Sequence, residues 1–172
     1  MRSMVVSAVM TALALTLPVA FHAVGLGSQF LPMLLPLLVN GFLSSTGWAV
    51  LTGLAAPLIS ALTTGMPPLY PPLAVVVALE GAVLGGVASL VWRLTRPRIW
   101  PALLAAVASG RLVAFLITWF MAAKLQLPVA LAAWGLLVHG LPGVAVQLAV
   151  TPAVVRYLER RKGPLFTHAD PS

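Results

Sequence analysis

Cysteine is missing altogether from the 172 residues, and acids are almost missing: only Glu80, Glu159 and Asp170 carry a carboxylate side chain. The first absence excludes a disulfide framework and any thiolate metal site, and leaves the redox compartment open. Charge of either sign is scarce, at 8% of residues, while 60% are hydrophobic and the mean hydropathy is +1.04. No soluble domain of this size keeps such a composition dispersed in water, so the chain reads as an integral membrane protein. Enzyme signatures are lacking too. There is no nucleophile beside a base, no GxSxG, no HExxH, no P-loop and no pair of aspartates of the intramembrane-protease kind. Alternation with a period of two is absent as well, which argues against a membrane β-barrel.

What the chain has is long apolar runs. A bilayer core about 30 Å thick takes roughly 20 apolar residues per helix. Runs of that order, separated by turn chemistry, predict an all-α bundle of six transmembrane helices in one domain over 1–172, at about 4–24, 30–43, 48–62, 73–92, 101–122 and 129–158, with a polar tail from 163 to 172. The first run is too long for a signal peptide, lacks a clear cleavage site and is followed by further spans. The second holds Pro32 and Pro36 and is short for a crossing, so neighbours are expected to shield it. Ser44-Ser45-Thr46-Gly47 reads as a tight turn with an N-cap, and the proline-rich stretch 63–72 as a stiff, irregular connection.

The net charge of +7 comes from short basic clusters abutting these runs: Arg2, then Arg93, Arg96 and Arg98, then Arg156 to Lys162. Such placement marks topology, not nucleic-acid binding. With six crossings and both termini cytoplasmic, every cluster falls inside and only Lys124 stays outside.

Ionisable residues at lipid depth are expensive, so each is a functional hypothesis. At 1.5 Å per residue, Glu80, Arg111 and His139 lie about 10, 16 and 15 Å from the outer ends of their helices, in one layer of the outer half. A cavity open to the outside would put its ligand groups there. The competing reading is structural: Glu80 and Arg111 neutralise each other and His139 bonds a backbone carbonyl. His22, Gln29 and Asn40 sit near the first hairpin, where hydrogen bonding between helices explains them; Gln147 reads as helix glue. Tyr70, Trp119 and Trp134 lie near the outer boundary, where an aromatic belt or a stacking role fits. A metal site would need two of the distant histidines with Glu80, and is not favoured. On helix one, Ala8-x-x-x-Ala12, beside Ser7 and Thr11, makes a small-residue strip that lets another helix approach. Gly81, Gly85 and Gly86 make a similar strip suited to packing inside the bundle.

In order along the chain, several pieces resemble the substrate-binding S component of energy-coupling factor (ECF) transporters. They are Ala8-x-x-x-Ala12, His22-Ala23-Val24-Gly25-Leu26-Gly27 into Leu31-Pro32-Met33, and Pro36 through Gly41-Phe42-Leu43. Gly53-Leu54-x-x-Pro57-Leu58, Gly65-Met66-Pro67-Pro68-Leu69, Glu80-Gly81, Gly110-Arg111 and Gly143 through Pro152 follow. Ser44-Ser45-Thr46-Gly47 departs from the Leu-Gly-Pro often found at that turn. The resemblance implies a prokaryotic plasma-membrane protein that captures a vitamin or vitamin precursor from outside. It would dock on a transmembrane coupling protein (T component) and two ATPases, which use the ATP; this chain would carry no cofactor. By the same resemblance the ligand would meet Glu80, Arg111 and His139 under a lid of Gln29 and the stretch from Met66 to Tyr70; His22 and Trp119 complete the set of candidate ligand contacts. The Ala8/Ala12 strip would face the coupling protein. Nickel and cobalt members begin with a histidine-containing motif that Met1-Arg2-Ser3-Met4 lacks. One acid, one base, an imidazole and aromatics suit a small heteroaromatic ligand. A structural or assembly membrane protein and a standalone small-solute carrier are the alternatives.

Overall fold

The computed structural model describes residues 2–23, 25, 32–70, 73–96, 98–126 and 129–161. Six helices follow one another: α1 (Arg2–Ala23), α2 (Leu34–Leu43), α3 (Thr46–Thr64), α4 (Leu73–Thr95), α5 (Ile99–Lys124) and α6 (Val129–Arg161). Among the described residues there is no strand. Five helices contain a stretch long and apolar enough to cross a membrane; α2 does not.

The second helix corrects the expected span of 30–43. Pro32 and Met33 form a turn, and the helix starts only at Leu34, so it is 10 residues and about 15 Å long. Half a crossing is tolerable because nearly all of it is buried in protein, from Leu34 to Phe42 with only Leu35 partly open. One carbonyl of its last turn is capped twice: the Ser44 amide and hydroxyl both donate to the Asn40 carbonyl, each at 2.9 Å.

The turn after α2 also differs from expectation. Ser45 occupies the N-cap position of α3, yet its side chain makes no cap. Instead the turn is held from outside, with the Ser45 amide donating to Ser3 Oγ at 3.3 Å and Ser89 Oγ to the Ser44 carbonyl at 3.2 Å. Thr46 Oγ1 and Ser89 Oγ share a further bond of 3.1 Å. These contacts gather the start of α1, the α2–α3 turn and the inner part of α4 at one end of the bundle. Asn40 belongs to the same group, accepting from Ser7 Oγ at 3.2 Å.

α4 is the central helix, packed against α2, α3 and α5. Of its apolar stretch 61% is buried, against 11% for α1, so α1 is a peripheral helix and α4 the one that sets positions. Glycine explains how α4 gets so close to its neighbours. A methyl group on Gly41 would lie 2.6 Å from the Gly85 carbonyl oxygen and 2.7 Å from Ala88 Cβ. On Gly53 it would lie 2.5 Å from both the Gly81 oxygen and the Ala82 nitrogen. Pro57 adds to this crossing. It has no N–H to give the Gly53 carbonyl four residues back, and a Cα hydrogen of Gly81 faces that freed oxygen instead.

At the other end, α3 stops at Gly65, whose φ of +72° is the left-handed cap conformation and whose amide returns to the Ala61 carbonyl at 3.1 Å. The following loop is stitched back onto α3. Ser60 Oγ donates to the Met66 carbonyl at 2.6 Å, and the Met66 amide donates to Thr64 Oγ1 at 3.3 Å.

Candidate functional site

Two glycines bring the deepest charged residues together. Glu80 immediately precedes Gly81, the residue crossed by Gly53 of α3, so its backbone is fixed by the tightest contact in the bundle. Arg111 immediately follows Gly110, where α5 passes over α4: a methyl there would sit 3.2 Å from Leu84 Cδ1 and 3.6 Å from the Glu80 carbonyl oxygen. With both backbones placed, the Arg111 guanidinium forms an ion pair through Nη2 with Glu80 Oε1. The side chains are 12% and 2% exposed respectively, so the pair is shielded from bulk solvent and is not a surface salt bridge.

One ion pair does not satisfy an arginine. Nη1 of Arg111 is buried and has no hydrogen-bond partner among the described residues, and the same is true of the Thr118 hydroxyl two turns further out on α5. Buried polar atoms in folded proteins are nearly always paired, so each orphan asks for a partner. Between and beyond these two groups lie aromatic rings. Phe115, one turn outward from Arg111, has its ring centroid 5.8 Å from that of Trp119 and 5.8 Å from that of Trp134 on α6. Trp119 and Trp134 are exposed, at 46% and 58%. From the C-terminal end of α5 inward the order is thus two tryptophans, a phenylalanine, then the charge pair.

The other expected site residues fall elsewhere. His139 is exposed, and its Nδ1 donates to the Gly135 carbonyl of its own helix at 2.9 Å; no hydrogen bond or ion pair among the described residues joins it to Glu80 or Arg111. Met66 and Tyr70 lie on the exposed α3–α4 loop, Tyr70 at 82%, with Met66 held by its backbone as described above. Gln29 and the side chain of His22 lie outside the described residues. Ala8 and Ala12 are exposed on α1, whereas Ser7, expected beside them, is turned inward onto Asn40. Phe115 and Thr118 were not among the expected site residues, and Trp134 was offered a stacking role only as one of three boundary aromatics. The spacing of Arg111, Phe115, Thr118 and Trp119, at i, i+4, i+7 and i+8, places them along one side of a helix and was the signal available for Phe115 and Thr118.

A family model described as ECF transporter, substrate-specific component, matches residues 2–155. The chain belongs to that family. Comparisons with curated proteins and with solved structures returned no match. As an ECF substrate-specific component it is a multi-pass protein of the prokaryotic plasma membrane and a transport subunit, not an enzyme. Membership also implies a small-molecule substrate and association with a T component and ATPases.

Proposed function

We propose that this ECF component captures a small, vitamin-like heteroaromatic molecule from the extracellular side, between α4, α5 and α6, for import driven by its partners. The observation that carries the reading is the buried Glu80–Arg111 pair with an unmet Arg111 nitrogen, lying directly beneath the Phe115/Trp119/Trp134 aromatic group. Recognition sites combine apolar walls with a few well-placed polar groups, and this arrangement has both. Arg2, Arg93, Arg96, Arg98, Arg156 and Arg160 sit at helix ends opposite the aromatic group, a distribution that supports a cytoplasmic location for those ends and both termini by the positive-inside rule. The α3–α4 loop from Met66 to Tyr70 then lies outside, over the entrance. His139 serves from the margin, its Nε2 free to accept. The chain carries no cofactor; ATP is hydrolysed by two partner ATPases, and a T component docks at Ala8 and Ala12.

The structural alternative, in which the pair only holds the bundle together, is favoured by the closed geometry of the pair itself. A paired substitution separates the two. Glu80→Leu with Arg111→Met removes both charges and leaves the bundle folded, because replacing a buried ion pair with apolar groups is close to neutral. Capture predicts that this variant no longer retains the small molecule that co-purifies with wild type, as read by mass spectrometry. Retention of that molecule at wild-type occupancy would reduce the pair to a structural element.

A further inference from the structure

We infer that the substrate is uncharged, and that it presents a ring carbonyl or ring nitrogen to Arg111 with its flat face against Phe115 and Trp119. The inference deepens the capture reading above and rests on it.

Charge is the first argument. Away from the helix ends, Glu80 and Arg111 are the only Asp, Glu, Lys or Arg residues in α3 to α6, and they cancel each other. A carboxylate ligand either takes the unmet Arg111 Nη1 beside Glu80 or displaces Glu80 from Arg111, and a cationic one competes with Arg111 for Glu80. Each case leaves a third, unbalanced charge in a low-dielectric layer, which is the costly arrangement there. An uncharged ligand leaves the pair intact.

Hydrogen bonding is the second. Arg111 can only donate, and its buried Nη1 has no acceptor among the described residues, so the missing partner must bring a lone pair. Thr118 supplies a second contact. Thr11, Thr16, Thr63, Thr64 and Thr95 all return their hydroxyl to the carbonyl four residues earlier in the helix. Thr118, like Thr151 on α6, makes no hydrogen bond among the described residues, and of the two it is Thr118 that lies two turns from Arg111 on the same side of α5. Its hydroxyl is therefore available for a polar substituent nearer the entrance. Phe115, between the two groups, and Trp119, just beyond Thr118, supply the aromatic surface against which a flat ring would stack, their own centroids 5.8 Å apart. Acceptor inward, ring in the middle and a polar substituent outward is the orientation these contacts define.

The test uses the full chain in lipid nanodiscs, with the fluorescence of Trp119 and Trp134 as reporter. Two scaffolds, a pyridine and a pyrimidine, are each titrated as the uncharged carboxamide, the carboxylate and the N-methyl cation. The expected result is that the uncharged member of a binding scaffold binds about 100-fold more tightly than its charged counterparts. Thr118→Val is expected to weaken that binding about tenfold while leaving the charge preference unchanged. The molecule released from the purified protein, identified by mass spectrometry, gives an independent reading and is expected to be uncharged at pH 7. A charged member binding as tightly as the amide, or a charged released molecule, overturns the charge assignment while leaving capture in place. No released molecule together with no binding by any of the six compounds overturns capture, and this inference with it.

Discussion

The two flanks of α4 are built on different principles. Toward α2 and α3 the helix packs backbone against backbone, through Gly81 and Gly85 on Gly53, Ala49 and Gly41. Toward α5 it meets its neighbour through side chains, Leu84 on Gly110 and Glu80 on Arg111. The first flank has almost nothing that can move aside. The second has long side chains, one buried ion pair and unmet hydrogen-bond donors. In a membrane, where lipid offers helices no hydrophobic reason to associate, close backbone packing supplies the adhesion that holds a helix in place. The rigid flank thus holds Glu80 in position, and the softer flank is where an incoming molecule can be accommodated.

Breaking the rigid flank should have the largest effect. Gly53→Val puts a branched side chain into the backbone of Gly81 and Ala82, which cannot yield as a flexible side chain would. Overpacking of this kind costs about 3 kcal/mol or more. The expected outcome is little or no monodisperse protein after detergent extraction. Gly110→Ala on the other flank meets Leu84 Cδ1 at 3.2 Å, a methyl that can rotate away, and should cost no more than about 1 kcal/mol. Equal losses from the two substitutions would erase the distinction between the flanks.

The soft flank can be probed through its charge. Glu80→Gln leaves the Arg111 cation buried without its counter-ion, and removing one member of a buried pair costs about 3–5 kcal/mol. The paired Glu80→Leu and Arg111→Met variant should recover most of that loss, to within about 1 kcal/mol of wild type. Thermal unfolding in one detergent, run on all three proteins, checks this. A single variant as stable as wild type would mean that the pair is solvated and that the soft flank is open to water without ligand.

How much of this was legible beforehand differs by feature, for physical reasons. Long apolar runs report membrane helices directly, so five of the six were readable as spans, and the Glu80–Arg111 encounter followed from depth arithmetic plus the expense of a lone buried charge. The start of α2 was not readable, because Phe30 to Met33 are as apolar as the helix they precede and burial, not composition, decides where the helix begins. Small residues at Ala49, Gly53 and Pro57, and at Gly81, Gly85 and Ser89, carry the close-packing spacing, but a single sequence does not say which strip meets which. His139 was placed by depth with the charge pair, yet depth says nothing of rotamer, and the ring turned to its own helix carbonyl at Gly135.

A third surface sharpens the comparison because it belongs to neither flank. Ala8 and Ala12 have the same i, i+4 small-residue spacing as Gly81 and Gly85, but they are exposed on α1, with Val5, Val9 and Leu13 exposed around them. Inside the bundle that spacing meets a helix already present; on α1 no described helix covers it. Ala8→Leu and Ala12→Leu therefore displace nothing within this chain, and each should change the stability of the isolated subunit by no more than about 0.5 kcal/mol. If the strip is where a T component approaches, the same substitutions keep that helix at a distance and should block co-purification with the T component and its ATPases while sparing ligand retention. Pull-down from membranes co-expressing the partners, with bound ligand measured in parallel, reads both quantities. Intact assembly with leucine at both positions would move the docking face elsewhere and leave the Ala8/Ala12 spacing as lipid-facing surface.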